Sequence, residues 1–237
     1  IIEEKNEELR KTIAGRDKMY SVIAHDLRSP MASMKMLLNT IMMSVEKDKI
    51  DPDIFDMLEM SNKTSEEVFS LLDNLLKWTK SQLGKLTVIP QKLDISGLAD
   101  GVVEVMNSVA EVKHIKLIRT DHESFFVYVD IEMIKSILRN LISNAVKFSN
   151  PDSEIKVGIK AEDGKVIVSV TDSGKGIKKE DQHKLLKDST HFTTYGTNSE
   201  EGSGLGLLLC RDFARKNGGE LWFESCLLYT SPSPRDA

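Results

Sequence analysis

The chain has 237 residues, enough for one large or two modest domains, each with its own core. It is 40% apolar and 29% charged, as soluble globular proteins are, and its formal charge of −5 with no basic run speaks against nucleic-acid binding. Two cysteines, Cys210 and Cys226, lack paired spacing, which excludes a disulfide framework and a zinc site and fits a reducing cytosol; the longest apolar runs stop well short of a bilayer span.

The first predicted element is a helix over about 2–45. The sequence begins with Ile1 inside that helical pattern, so it reads as a fragment whose upstream part is missing. Ile13, Tyr20, Leu27, Met34 and Ile41 recur every seven residues, with Ile23, Ala24, Met31, Leu38 and Val45 in the neighbouring seam. With Tyr20 at position a, His25 falls at f, alongside Lys18, Ala32, Asn39 and Glu46, and is expected to face solvent on the side away from the seam. Pro30 lacks the N–H that would bond the Asp26 carbonyl, so a bend is expected just after His25-Asp26.

Residues 46–53 form a polar turn, with Asp51 as N-cap and Pro52 opening a second helix that runs to about Leu83, where Gly84 can cap it. Ile54, Leu58, Val68, Leu72 and Leu75 make its stripe; Trp78 and the methionines of the first helix are most simply core or seam. Two long helices with a short connection predict an antiparallel hairpin. One hairpin cannot enclose its stripe, and two can, as a four-helix bundle, so a homodimer is inferred.

Beyond a linker near 84–94 the pattern changes. Helices over about 96–111, 130–147, 178–188 and 205–217 alternate with strand-like runs IKLIRT, FFVYVD, EIKVGIKA, KVIVSVTD and GELWFES. Glu162-Asp163-Gly164-Lys165 signals a β-hairpin, and the whole predicts a two-layer α/β sandwich with a mixed sheet. The last twelve residues, CLLYTSPSPRDA (226–237), resemble a translated sequencing adapter and are read as a non-native tail.

Four stretches carry chemistry. A neutral imidazole on a helix surface is a nucleophile, and the neighbouring carboxylate of Asp26 can hold its other N–H. Taken alone, His25 is more simply an ordinary surface histidine beside an incidental kink. In RNLISNAVKFS (139–149), Asn140 and Asn144 share a helix face with Lys147 three residues on; two amide oxygens and an ammonium suit a Mg²⁺–triphosphate, although an Asn-rich polar face explains the same pattern. In VTDSGKGI (170–177), a strand ends at Asp172, whose carboxylate can accept from an exocyclic amine, while Gly174 and Gly176 let a flat ring lie against backbone. Gly202, Gly204 and Gly206 open an apolar helix whose first N–H groups can hold an anion; no Lys-Ser/Thr follows, so this is no P-loop. TTYGTNSEEG (193–202) before it has the polar looseness of a lid. His114, His122, His183 and His191 form no ligand cluster.

In this order, the four stretches resemble the sensor histidine kinases of two-component signalling over about 15–225. HDLRSP is similar to the phosphoacceptor box, RNLISNAVKFS to the N box, DSGKG to the first glycine box and GSGLGL, with Leu205, to the second. The resemblance implies a dimerisation and phosphotransfer hairpin (1–87) and a Bergerat-type ATP-binding domain (88–225). It implies His25 as the phosphorylated residue, Asp26 as its acidic helper and Asn144 as the magnesium ligand. Asn140 and Lys147 become phosphate-side groups, Phe148 the ring beside the nucleotide and Asp172 the adenine reader. ATP and Mg²⁺ are the implied cofactors, and a response-regulator aspartate the next acceptor. The implied location is cytoplasmic, with any membrane contact supplied by a missing upstream sensor region.

Related hydrolysing ATPases place a water-activating glutamate four residues before the magnesium asparagine. That position is Asn140 here, and an amide is no general base, which favours transfer over hydrolysis. The family often has Thr or Asn four residues after the histidine, where this chain has Ser29; its usual last strand would follow Ser225; and Phe192 has no clear counterpart. The alternatives are a nucleotide-binding dimeric scaffold without transfer and a Bergerat-type ATPase.

Overall fold

A computed structural model of the chain describes residues 2–46, 49–121, 123–185, 196–197 and 204–225. The chain divides into two compact units, 1–87 and 88–237. No helix among the described residues is long and apolar enough to cross a membrane.

The first unit is a hairpin of α1 (Ile2–Ser44) and α2 (Pro52–Gln82). α1 continues through Pro30, so the missing N–H leaves out one rung of the ladder without ending the helix. α2 begins where its cap predicts: the Asp51 side chain accepts from the Asp53 N–H at 2.9 Å and Pro52 takes the first helical position. It ends at Gly84, whose φ of +65° carries the chain out while the Lys85 N–H bonds the Lys80 carbonyl.

The two helices meet on a flank of α1 next to the heptad seam. Met31 packs with Leu75 against buried Leu72 and Leu76, Arg28 pairs with Asp73 at 2.7 Å, and the Asn62 side-chain amide donates to Asn39 Oδ1 at 2.9 Å. Position f is therefore not uniformly the solvent side. Asn39 shares that position with His25, yet it faces α2, because α2 sits beside the a/d stripe and not over it. The stripe stays open: Leu27, Met34 and Ile41 are 46%, 51% and 40% exposed. Met36 and Met43 are more exposed still, so they are neither core nor seam within one hairpin.

In the second unit the order is β1 (Gln91–Asp94), α3 (Ile95–Glu111), β2 (Lys116–Arg119), β3 (Phe126–Val129), α4 (Ile131–Phe148), β4 (Glu154–Glu162), β5 (Lys165–Thr171), α5 (Lys179–Gln182) and α6 (Gly206–Lys216). β4 runs between β2 and β5, parallel to the first and antiparallel to the second, while β1 and β3 form a separate antiparallel pair. The mixed sheet is the predicted class. Period-two alternation sends Ile155, Val157 and Ile159 of β4 inward with Val166, Val168 and Val170 of β5. They meet Val102, Met106 and Ala110 of α3 and Leu138, Ile142 and Val146 of α4. The β4–β5 turn closes through Asp163 and Gly164 at φ +49° and +73°, the left-handed pair that a two-residue hairpin demands.

Three features differ from the sequence expectation. β1 has no strand signal of its own and exists by pairing with β3. GELWFES alternates like a strand but joins no ladder: Ser225 instead accepts from the Gln182 side chain at 3.0 Å through its carbonyl, and from the Ile177 N–H at 2.9 Å through its hydroxyl. Those bonds pin the end of the segment to the stretch after β5 and leave β5 at the sheet edge. The helix expected over 178–188 is described only as Lys179–Gln182 and a following turn; 186–188 lie outside the described residues.

Candidate functional site

α4 organises the site. Asp130 caps it, accepting from the Met133 N–H at 3.1 Å, and its backbone N–H is held in turn by the Asn217 side chain at 2.7 Å. Met133, Leu138, Ile142, Ala145 and Val146 bury one face. The 3.6-residue period then places Asn140, Asn144 and Lys147 on the other, each half-buried.

Two further stretches converge on α4. The Asn140 amide donates to the Ser136 carbonyl at 3.1 Å, which turns its Oδ1 towards Gly206, where a Cβ would approach that oxygen to 3.0 Å. The absence of a side chain at Gly206 thus lets the first turn of α6 lie against Asn140. Before it, Gly204 has φ +67° and Leu205 is buried. On the other side, Gly174 lies against the Phe148 carbonyl so closely that any Cβ would collide with it. The Gly174 N–H bonds Asp172 Oδ1 at 2.9 Å, and the Lys175 N–H bonds the Phe148 carbonyl at 3.3 Å. Asp172 itself is exposed, with Oδ2 directed to neither of these bonds. Gly176, at φ +68°, turns the chain away.

The Phe148 ring carries two ammonium groups, Lys147 Nζ at 5.3 Å and Lys175 Nζ at 5.0 Å from its centroid. An aromatic plate with two cations, amide oxygens one turn apart and a helix start is a surface for a flat, polyanionic ligand. A separate open cavity of about 580 Å³, lined by Thr120, Asp121, Glu123, Phe125 and 159–161, lies at the opposite end of the β4–β5 ladder and takes no part in this convergence.

Asn140, Asn144, Lys147, Phe148, Asp172, Gly174, Gly176, Gly204, Leu205 and Gly206 all fall within the second unit. Gly202 lies outside the described residues, as does all of 193–202 except Gly196 and Thr197. The side chain of His25 also lies outside them, so the expected outward direction of its ring does too. Asp26 is exposed on α1. Sequence reading missed Lys175, which only the placement of Phe148 makes meaningful, and the buried Lys113. Cys210 is no candidate nucleophile: burial pushes its thiol up to about 12.

Residues 129–233 match the family of histidine kinase-, DNA gyrase B-, and HSP90-like ATPases, a match that runs past Ser225 into the segment read as adapter-derived. The adaptive-response sensory kinase SasA of Crocosphaera subtropica is 29% identical over 98% of this chain and 63% of its own length. Its counterpart in Gloeothece citriformis is 28% identical over 98% of this chain and 61% of its own. The chain thus spans about three fifths of these relatives. Among solved structures, full-length ShkA in complex with AMPPNP superposes with a TM-score of 0.60 at 19% identity, covering 85% of this chain and 41% of that one. The Acinetobacter baumannii histidine kinase AdeS gives 0.54 at 23% identity, covering 81% and 86%.

Proposed function

We propose, from the match of residues 129–233 to the histidine kinase-, DNA gyrase B-, and HSP90-like ATPases and from the similarity of the chain to sensory kinases, that the chain is the catalytic core of an ATP-dependent protein histidine kinase that phosphorylates His25. Residues 1–87 serve as the dimerising, phosphoacceptor hairpin and 88–225 as the ATP-binding domain. The observation that carries this reading is the meeting of three motif stretches on one face of α4: Asn140 against Gly206, and Phe148 against Gly174. Nothing in the apolar core requires either approach.

ATP is the phosphoryl donor. Asp172 accepts from the adenine amine, Phe148 lies beside the base, and Lys147, Lys175 and the first N–H groups of α6 offset the phosphate charge. Among the described residues no three His, Cys, Asp or Glu side chains gather at metal distance. The amide oxygen of Asn144 would hold a divalent ion here, with phosphate and water completing its shell, an arrangement that fits Mg²⁺. When bound, the ion neutralises phosphate charge.

An imidazole nitrogen of His25 forms the bond to the γ-phosphorus as the bond to the β–γ bridging oxygen breaks and ADP leaves. Asp26 holds the N–H of the other ring nitrogen and takes its proton as the ring loses basicity. Asn140 stands where a water-activating glutamate would, and cannot deprotonate water. The phosphoryl group then passes to an aspartate of a response regulator. The open a/d stripe of α1 supports a homodimer, and use of ATP supports a cytoplasmic setting.

Incubating the dimer with γ-labelled ATP tests the assignment. Acid-labile, alkali-stable protein label that disappears in His25→Gln is the expected result. Released inorganic phosphate without protein label would establish an ATPase instead, and nucleotide binding with neither product a scaffold.

A further inference from the structure

Lys113 ends α3 in a turn that fixes its direction. His114 takes φ +56°, the Ile115 N–H reaches back to the Ala110 carbonyl at 3.0 Å, and the Asp152 N–H bonds the Lys113 carbonyl at 3.4 Å. So held, the side chain is directed inward, and the residue is only 7% exposed. Burying an ammonium is unfavourable unless its donors are met. Here Nζ donates to the carbonyls of Val146 and Lys147 at 3.2 and 3.1 Å, and to Thr197 Oγ1 at 2.9 Å. The carbonyls are among the last of α4, where the helix dipole favours a cation.

Thr197 is fastened to the same place. Its N–H bonds the Lys147 carbonyl at 3.1 Å, and its hydroxyl lies 2.8 Å from the Ser149 carbonyl and 3.2 Å from that of Lys147. The residues so tied bracket Lys147 and Phe148, the cation and the ring of the candidate site. A helix cap needs the lysine alone. It does not need a threonine some fifty residues further along the chain joined to the same carbonyls.

We propose that Lys113 and Thr197 form a positioning node for nucleotide binding: the buried ammonium and the hydroxyl together fix the end of α4, and with it the Phe148 ring and the Lys147 ammonium. The inference rests on the nucleotide-site reading above. Neither residue touches ligand; both act through α4.

The test uses the full chain with trinitrophenyl-ATP and Mg²⁺ as probe. Thr197→Val removes one oxygen at constant shape, and with it one acceptor of the buried Lys113 ammonium. It is expected to weaken probe binding about ten-fold. Thr197→Ser, which keeps the hydroxyl, is expected to bind as wild type. Lys113→Met should lose as much, and the double variant little more than Lys113→Met alone, because the two act as a unit. In autophosphorylation the loss should fall on KM for ATP with kcat retained. If wild type binds and Thr197→Val and Lys113→Met both stay within two-fold of it, the node is a structural cap and the proposal is wrong. Should Lys113→Met fail to fold, the Val/Ser contrast at Thr197 decides alone. A wild-type chain that binds no probe overturns the nucleotide-site reading itself, and the node with it.

Discussion

The two units bury their apolar side chains to different degrees. In the second, sheet and helices close on each other, and Ile142, Ile155, Val157 and Leu209 are 0% exposed. Among the described residues of the hairpin, Leu72 and Leu76 are the buried apolar ones, while Leu27, Met34, Ile41, Ile54, Val68 and Leu71 remain 38–51% exposed. A two-helix unit has one interface, and its apolar residues exceed what that interface covers. The second unit therefore closes its core within one copy, whereas the hairpin carries a surface that a second copy would cover. Stability of the second unit should be independent of protein concentration and that of the hairpin should depend on it.

The largest effect that sharpens this contrast is Ile142→Ala. A side chain with no exposure, between α4 and the sheet, leaves a cavity when truncated, and the second unit should lose about 2–5 kcal/mol. Chemical unfolding at two protein concentrations should give the same loss. A loss confined to the hairpin transition would break the comparison.

Leu27→Glu addresses the other side. Placing a carboxylate on the open stripe should weaken self-association at least about ten-fold, as truncation or charging of a central interface residue does. Sedimentation equilibrium would read the shift towards monomer, while the unfolding midpoint of the second unit stays put. An unchanged association constant would show that the stripe is not the contact surface.

The smallest effect concerns Cys210. Its thiol titrates from 9.0 in the unfolded chain to about 12 in the fold, because burial disfavours the thiolate. Between these values the unfolded chain has lost a proton that the folded one keeps. Stability contributed by the neutral thiol is thus fully present below pH 9 and declines as pH rises, by about 1 kcal/mol at pH 10. Cys210→Ala should remove that decline, though not the cost of the lost volume, in denaturant titrations at pH 8 and pH 10.

Much of this was legible from residue order. Asp51-Pro52 announced the start of α2, Asp163-Gly164 the β4–β5 turn, and the spacing of Asn140 and Asn144 their shared face, because caps, turns and helical period are local properties. What was not legible depends on distant partners. β1 is four residues whose strand character comes from β3, and GELWFES has strand alternation yet pairs with no strand among the described residues. The heptad identified an apolar stripe but not which flank α2 would occupy, so Asn39 was assigned to solvent. Lys113 looks like any turn lysine. Only the packing of α3 beside α4 turns it inward.

The Asn39–Asn62 bond constrains how the hairpin can change. It lies in the half of the unit nearer the α1–α2 loop, and Asn62 Oδ1 is buried without a protein partner among the described residues. Sliding α1 along α2 by one turn would separate the two amides and break their bond, at about 1–3 kcal/mol for each group left both buried and unmet. The loop end is in effect riveted. Any rearrangement of the hairpin would be taken up by splaying or twisting beyond that rivet, towards Arg28 and Asp73, where a part-exposed ion pair yields more readily than a part-buried amide pair.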